Sequence, residues 1–455
     1  MTFPTSDETH IDKDAKMLKK SNRHLFLKIP TEEAFIRLAP VFVGQGAIGL
    51  GLDETAAEEM SLAAEEVMAY LVRAGTAGGE VEVRCFAGSH YVQTDFSFPL
   101  ENIGLRSFNM TATVNPDDEF AMDEMELLIA SRMADRFIIS RRANGNPELT
   151  LIKEFSYPEI ADDNAVDVYP LAGFSIKEPD SGQIKWFLRL INQVCHPSVF
   201  PGDFLTPGKI VDMADAGDYQ LLVAVGPAGE IGGGIAWRWE GEKTVELFGP
   251  YVFHPDNKSE MARGLMDECI GRVARSSALI LVNRMPPPEL PEGYLEPLGT
   301  IGMVNTDGIL QRITAYFREI HEDMGAVAWV HPELHDFLEK EYQRLYFPRE
   351  IRSVSAEGET GDEFSVLSAE MDRRLGQVTL RPIWPGDDRL ENLKGHLKLM
   401  QREGLTSVFF EMDLGSSWQV EFTPSLLKLG FTPQMLLPHA GTGDLLIFEL
   451  TGESS

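Results

Sequence analysis

Hydrophobic positions change period several times along this chain, and each change predicts an element. His24–Ile29 (HLFLKI) reads as a strand, and Thr31 stands where it would cap a helix running through Phe35, Leu38 and Val41. The glycine-rich GQGAIGLGL that follows reads as a turn. Asp53 or Thr55 can cap the next helix, in which Met60, Ala63, Val67 and Leu71 recur at three- and four-residue spacing and form one apolar stripe. VEVRCF and YVQTDFSF alternate as strands, a helix is expected from about Asp123 to Asp135, and RFIISRR and LTLIKEF flank Asn144-Gly145-Asn146 as a hairpin.

A charged, proline-containing stretch, SYPEIADDNAVDVYP, then interrupts the pattern as a linker. Beyond it FSIKEPDSGQIKWFLRLINQV reads as strand, turn with a capping serine, and amphipathic helix. YQLLVAVGPAGEIGGGIAWRWEG and TVELFGPYVFHPD give three strands, SEMARGLMDECIGRVARS a helix, ALILVNR a strand, and GYLEPLGTI a short helix with a turn. Further on, GILQRITAYFREIHEDM is expected to be helical, and VAWV, SVLSAEM, QVTLRPIW and SVFFEMDL to be strands. DDRLENLKGHLKLMQREG is expected as a helix, and FTPSLLKLGFTPQMLLP as a helix followed by a turn. The division that results is a flexible tail at 1–21, a domain at 22–156, a linker at 157–169, and domains at 170–303 and 304–455, of α+β class.

Composition agrees with this division and narrows the partners. A chain of 455 residues accommodates three domains at ~150 residues each, and 43% hydrophobic residues suffice for packed cores. With 71 acidic against 40 basic side chains, the net charge of -31 opposes binding to nucleic acid or an anionic membrane. Cys85, Cys195 and Cys269 have neither metal spacing nor a disulfide framework, which suits a reducing compartment and buried thiols. The N-terminus has no apolar core of signal-peptide length, and no stretch is read as a membrane span, so a cytoplasmic location is expected.

The order of elements over 22–156 resembles the GHKL ATPase fold, an α/β sandwich, as it occurs in anti-sigma serine kinases. The resemblance is carried by LAAEEVMAYLV and by ELLIASRMADRFIISRRANGNPELTLIKEF. It implies a nucleotide site in which a glutamate activates the attacking hydroxyl and an asparagine four residues later ligates magnesium. Glu66 stands at the glutamate position and Tyr70 at the asparagine position. A phenol of ordinary pKa near ~10 is a poor magnesium ligand, so the site is degenerate and speaks against ATP and magnesium. The family's Asp-x-Gly-x-Gly would fall near Phe96-Ser97-Phe98-Pro99, with no acid aligned, and Asp123, Glu124 and Glu126 would put carboxylates where phosphate is received. What the resemblance then implies is a sensing or docking domain with a protein partner, and a homodimer.

Residues 170–303 resemble the GNAT acyltransferase fold, and 304–455 a second GNAT-like unit ending in Leu429-Gly430-Phe431. The matching stretch is YVFHPDNKSEMARGLMDE; LGT at Leu298–Thr300 is similar to the family's late Leu-Gly-Phe. The resemblance implies acetyl-CoA or another acyl-CoA, held by the backbone of Tyr251, Val252 and Phe253. A loop from Asn257 through Ser259, Met261 and Ala262 would cup the phosphates, with Lys258 and Arg263 giving positive charge. The two glycines of the family's loop are missing here. Glu246 is the candidate base and Tyr294 the candidate acid. In the second unit Trp384-Pro385-Gly386-Asp387-Asp388 offers two carboxylates at the phosphate loop, which opposes binding there.

Three other features have plainer readings. His331 and His335 share a helix face but lack a third ligand, so capping explains them and no metal site is expected. GEIGGGIAW lies between strands and reads as a hairpin turn with a bulge, not a nucleotide loop. Trp237 and Trp239 share one strand face. The function expected is a regulatory protein with acyl-CoA-dependent N-acyltransferase activity coupled to a degenerate ATPase-like domain. The alternatives are a catalytically silent signalling regulator that binds a protein partner and, third, an active serine kinase.

Overall fold

The computed structural model describes residues 23–74, 79–99, 105–109, 111, 119–141, 146–160, 171, 173–254, 257–304, 310–354 and 362–451. The expected tail lies outside them. Two compact units divide the chain, Met1–Ser156 and Tyr157–Ser455.

In the first unit, β1 (His24–Pro30), β2 (Glu80–Ala87), β3 (Tyr91–Ser97), β4 (Arg136–Arg141) and β5 (Pro147–Glu154) form an antiparallel sheet of order β1-β2-β3-β5-β4. Its helices are α1 (Leu38–Leu50), α2 (Glu54–Arg73) and α3 (Glu119–Met133). Of the two candidate caps, Asp53 and Thr55, it is Asp53 that caps α2, accepting the Ala56 N–H at 2.9 Å. Thr31 caps no helix: its hydroxyl donates to the Gly79 carbonyl at 3.1 Å. GQGAIGLGL is not a turn but largely the body of α1, which ends at Gly51 with φ 118°. A Cβ at Gly44 would stand 3.1 Å from the Ser61 Cβ, and one at Gly46 2.9 Å from a Leu25 methyl. The glycines let α1 lie close to α2 and to the sheet, and that packing offsets a propensity cost of about 1 kcal/mol each.

The second unit begins with the expected linker, whose first residues are bound to it. Tyr157 donates its hydroxyl to Asp212 at 2.6 Å and the Ile160 N–H donates to the Leu205 carbonyl at 3.0 Å. Its first sheet holds β6 (Ser175–Lys177), β7 (Gln220–Val225), β8 (Ile231–Trp239), β9 (Thr244–Val252), β10 (Ile280–Asn283), β11 (Glu296–Val304) and β12 (Leu310–Glu319). The order is β11-β12-β10-β9-β8-β7-β6, antiparallel except for the parallel pair β9 and β10. Helices α4 (Ser181–Val194) and α5 (Pro207–Ala216) join β6 to β7, and α6 (Lys258–Val273) joins β9 to β10. The cap of α4 is Asp180 in a reciprocal box with Gln183, not the serine after it.

Two expected helices are strands. GILQRITAYFREIHEDM forms β12, where Ala315 and Phe317 are buried and alternate with Thr314 and Tyr316; GYLEPLGTI leads into β11. The β-branched and aromatic residues at period two outweighed a superficial helical spacing. This sheet therefore continues to Glu319, past the division expected at 303.

The chain goes on through β13 (Ala326–Val330), α7 (His335–Leu345) and β14 (Arg349–Ser353), the strands pairing in parallel. A last sheet contains β15 (Val366–Asp372), β16 (Gln377–Trp384), β17 (Ser407–Asp413), β18 (Phe431–Leu437) and β19 (Leu445–Leu450), ordered β15-β16-β17-β19-β18. Its parallel pair is β16 and β17, joined by α8 (Arg389–Arg402); α9 (Thr423–Lys428) precedes β18. The strand–helix–strand unit β9–α6–β10, followed by an antiparallel pair, thus recurs as β16–α8–β17. One hydrophobic core, including Val282, Leu298 and Phe317 from the first sheet and Phe410, Met435 and Leu446 from the second, runs through both.

Candidate functional site

The parallel pair of the first sheet is short. β9 and β10 match only at Thr244, Val245 and Glu246, opposite Ile280, Leu281 and Val282, while β9 runs on to Val252. Beyond Glu246 its edge toward β10 has no strand partner among the described residues. The Asn283 side chain reaches across and donates to the Gly249 carbonyl at 2.9 Å, holding the two arms at a fixed separation. Past this contact the Phe253 N–H donates to the Gly232 carbonyl at 2.9 Å, so Tyr251 and Phe253 direct their main chain to β8. Val252 therefore directs its N–H and C=O to the open edge. Of the three backbone positions expected to hold a pantetheine arm, one faces the gap; the Tyr251 side chain is buried and donates to the Val199 carbonyl at 2.7 Å.

The glycine run of β8 has a packing explanation. A Cβ at Gly232 would stand 2.7 Å from the Met261 methyl and 2.1 Å from a Leu171 methyl, and one at Gly234 2.6 Å from the Phe187 ring. The run lets α4 and the first turn of α6 press onto the strand, and β8 follows a hairpin with a bulge at Ala224/Val225 as its sequence suggests.

At the start of α6, Asn257 adopts a left-handed φ of 61°, and the first helical bond runs from the Met261 N–H to the Asn257 carbonyl at 2.9 Å. The N–H groups of Lys258, Ser259 and Glu260 precede that bond and are the ones a helix leaves unmatched. Met261 and Ala262 do not belong with them: both lie inside the helix with side chains buried in the core. Arg263 is exposed. Lys258 is not a free cation, because Glu289, from the proline-rich loop after β10, pairs with it at 2.7 Å.

Glu246 sits where β9 and β10 part, only 2% exposed. Arg284 donates to one oxygen at 2.6 Å and Arg238 to the other at 3.0 Å. Burial alone would raise this carboxyl; Arg284 and Arg238 overcome it and hold the group down to about 2. A carboxylate so held takes up a proton poorly at neutral pH. Arg284 also binds Glu240 at 2.8 Å and approaches Glu411 of β17 at 3.7 Å, and Glu411 accepts from Arg381 at 2.5 Å. Burial raises Glu240, with Arg284 acting against it. Glu240, Arg238 and Arg284 were not singled out from sequence; Arg238, lying between Trp237 and Trp239, was the one available signal.

Tyr294 is placed elsewhere. Its hydroxyl donates to Asp267 of α6 at 2.8 Å, about 13 Å along the helix from Lys258 at ~1.5 Å per residue. Burial and then Asp267 raise its phenol. No hydrogen bond among the described residues joins it to Glu246.

The second strand–helix–strand unit is closed by its own chain. A Cβ on Gly386 would stand 2.1 Å from the Ser365 nitrogen, Ser365 donates its N–H to Asp388 at 2.6 Å, and Trp384 donates to Asp362 at 2.7 Å. Residues 362–365 fill the place that a phosphate loop would need. His331 accepts the Glu333 N–H at 3.3 Å and caps a short turn, as its position suggested.

In the first unit, Tyr70 is buried with its ring edge-on to Phe108 at 6.3 Å, and burial, then Glu65, raises the Glu66 carboxyl. Glu126 is paired with Arg73; the side chains of Asp123 and Glu124 lie outside the described residues. Next to the Phe96–Pro99 segment, where no acid is aligned with the family's aspartate, Asp95 is a buried carboxylate that accepts from Thr150 at 2.8 Å and Gln93 at 2.7 Å. Cross-strand pairing sets it beside Arg84 and Thr150 on the sheet face opposite Cys85 and Phe96.

No family model matches the chain, and no curated protein does. Similar solved structures include a phosphinothricin acetyltransferase of the GNAT superfamily from Sinorhizobium meliloti, at 14% identity and a TM-score of 0.26, covering 32% of this chain and 88% of that one. An aminoglycoside 6'-N-acetyltransferase from Enterococcus faecium matches at 14% identity and a TM-score of 0.25, covering 32% of this chain and 98% of that one. A GNAT family N-acetyltransferase from Escherichia coli matches at 17% identity and a TM-score of 0.20, over 26% of this chain and 66% of that one. These likenesses are to acetyltransferases and cover about a third of the chain or less.

Proposed function

We propose that the Tyr157–Ser455 unit is a GNAT-type N-acyltransferase that takes an acyl-CoA into the gap between β9 and β10, and that the Met1–Ser156 unit is a GHKL-type docking module. The observation that carries the first part is the early end of the β9–β10 pairing, which presents the Val252 N–H and C=O to an amide-bearing arm beside the N–H groups that open α6. In the transfer the acceptor amine attacks the thioester carbonyl; a C–N bond forms, the C–S bond breaks, and the proton lost by nitrogen goes to the thiolate. Glu240, whose carboxyl burial raises, is the better proton acceptor of the two cluster carboxylates, and Glu246 anchors the arginines. The second strand–helix–strand unit, filled by residues 362–365, serves as support.

The docking module works with a protein partner, in the cytoplasm and as a homodimer in this reading, with Glu66 and Tyr70 as remnants of a nucleotide site. A silent regulator is the second reading, favoured by the Lys258–Glu289 pair, which spends the cation that phosphates would use. Calorimetric titration of the full chain with acetyl-CoA separates the two. Saturable heat at submillimolar ligand, lost in a Val252→Pro variant that circular dichroism shows to be folded, is the expected result. No heat at that concentration leaves the silent regulator, and saturable ATP binding with phosphate transfer would restore the kinase reading.

A further inference from the structure

The outer face of α1 carries a hydrophobic stripe that nothing among the described residues covers. Leu38, Val41 and Ile48 are 47%, 64% and 46% exposed, and Gln45 is exposed between them. Their spacing of three, four and three residues is that of a seam made for another helix. The inner face packs on α2 and the sheet through Pro40, Gly44 and Gly46, with the Ser61 hydroxyl donating to the Pro40 carbonyl at 3.0 Å. Alongside runs an acidic row. Glu54, Glu58 and Glu65 of α2 are exposed and lie seven and three residues before and four after Ser61, hence on its side of the helix, and Leu62, 50% exposed, lies between Glu58 and Glu65.

We infer that this stripe is the docking surface of the first unit and that its occupant is an amphipathic helix of another protein, with aliphatic residues at three–four spacing and Lys or Arg along its edge. The inference rests on the docking part of the proposed function and is independent of acyl transfer. Charge selects the occupant. A second copy would bring Glu54, Glu58 and Glu65 against their own equivalents. Anionic headgroups would meet the same carboxylates, although Glu33–Leu50 is apolar enough by composition to pass for a membrane-seeking helix. A basic-edged helix satisfies both the apolar seam and the acidic row.

Two synthetic helical peptides of about 20 residues, long enough to hold helical structure, test this: one with leucines at three–four spacing and lysine edges, the other with glutamate edges. Fluorescence anisotropy with the full chain should show the lysine peptide binding at least tenfold tighter. Val41→Glu/Ile48→Glu should weaken that binding at least tenfold with an unchanged melting temperature. If charge alone drove the contact, the added carboxylates would tighten it, and that result overturns the inference while leaving docking elsewhere on the chain open. Binding of neither peptide overturns the inference and leaves the docking reading to other surfaces of the first unit. A concentration-dependent dimer in sedimentation, or binding to phosphatidylcholine–phosphatidylglycerol vesicles, abolished by the same variant, would assign the stripe to a second copy or to a bilayer instead.

Discussion

Glu246→Gln separates an anchoring carboxylate from a catalytic one. The change removes a buried charge whose two oxygens lie 2.6 Å from Arg284 Nε and 3.0 Å from Arg238 Nη2. Its carboxyl is lowered from 4.5 to about 2, which corresponds to about 3 kcal/mol of folding free energy at ~1.4 kcal/mol per unit. Breaking one side of a buried ion pair costs ~3–5 kcal/mol in general, a consistent magnitude. For a domain of this size the melting temperature should fall by about 5–10 °C. The sign with pH follows from the lowered pKa: the stabilisation is fully present above the unfolded value of 4.5 and is lost as pH falls toward about 2. Unfolding in urea at pH 7 and pH 4 should therefore show the gap between parent and variant narrowing with acid. Removing Arg284 as well, as Glu246→Gln/Arg284→Met, should cost less than the sum of the single changes. The companion assay follows thiol release from acetyl-CoA with an amine acceptor. An anchoring Glu246 leaves kcat of the folded variant within about threefold, whereas loss of a general base costs ~100-fold or more. A variant that melts like the parent, or one that stays folded and loses transfer ~100-fold, would refute the anchoring role.

Two further outcomes follow from the same geometry. Glu289→Gln frees Lys258 and removes a carboxylate beside the start of α6, so calorimetry should find acetyl-CoA affinity raised by about fivefold, a factor worth ~1 kcal/mol, and an unchanged affinity would show that Lys258 does not meet the phosphates. His396 is buried in α8, with Nδ1 3.0 Å from the Asn392 carbonyl and Nε2 without a hydrogen-bond partner among the described residues. Burial lowers its pKa below 6.5, so the folded state resists protonation and stability is lost as pH falls through 6.5. His396→Phe should flatten the fall in melting temperature between pH 7 and pH 5; an unaltered profile would place the acid sensitivity in other groups.

What the sequence determined by itself were the elements whose signal is local. Asp53 or Thr55 before the stripe of Met60, Ala63, Val67 and Leu71 placed the start of α2 to within a residue or two, and the alternating segments RFIISRR and LTLIKEF marked β4 and β5, because capping and strand periodicity act over a few residues; Asn144 and Gly145 of the turn expected between them lie outside the described residues. The alternation around GEIGGGIAW likewise marked β7 and β8. Tertiary structure decided the rest wherever a distant neighbour set the outcome. The glycines of α1 are helical because Ser61 and Leu25 need the space, and β12 is a strand because β10 and β11 pair with it from both sides. The site residues divide in the same way. A stretch such as YVFHPDNKSEMARG marks where a gap and a helix start will lie, but which backbone groups face that gap depends on the register with β8. That Glu246 is clasped by Arg238 and Arg284, and Lys258 by Glu289, depends on residues 8 to 38 positions away in the chain being brought together by sheet pairing, and electrostatic energy follows distance in space, not in sequence.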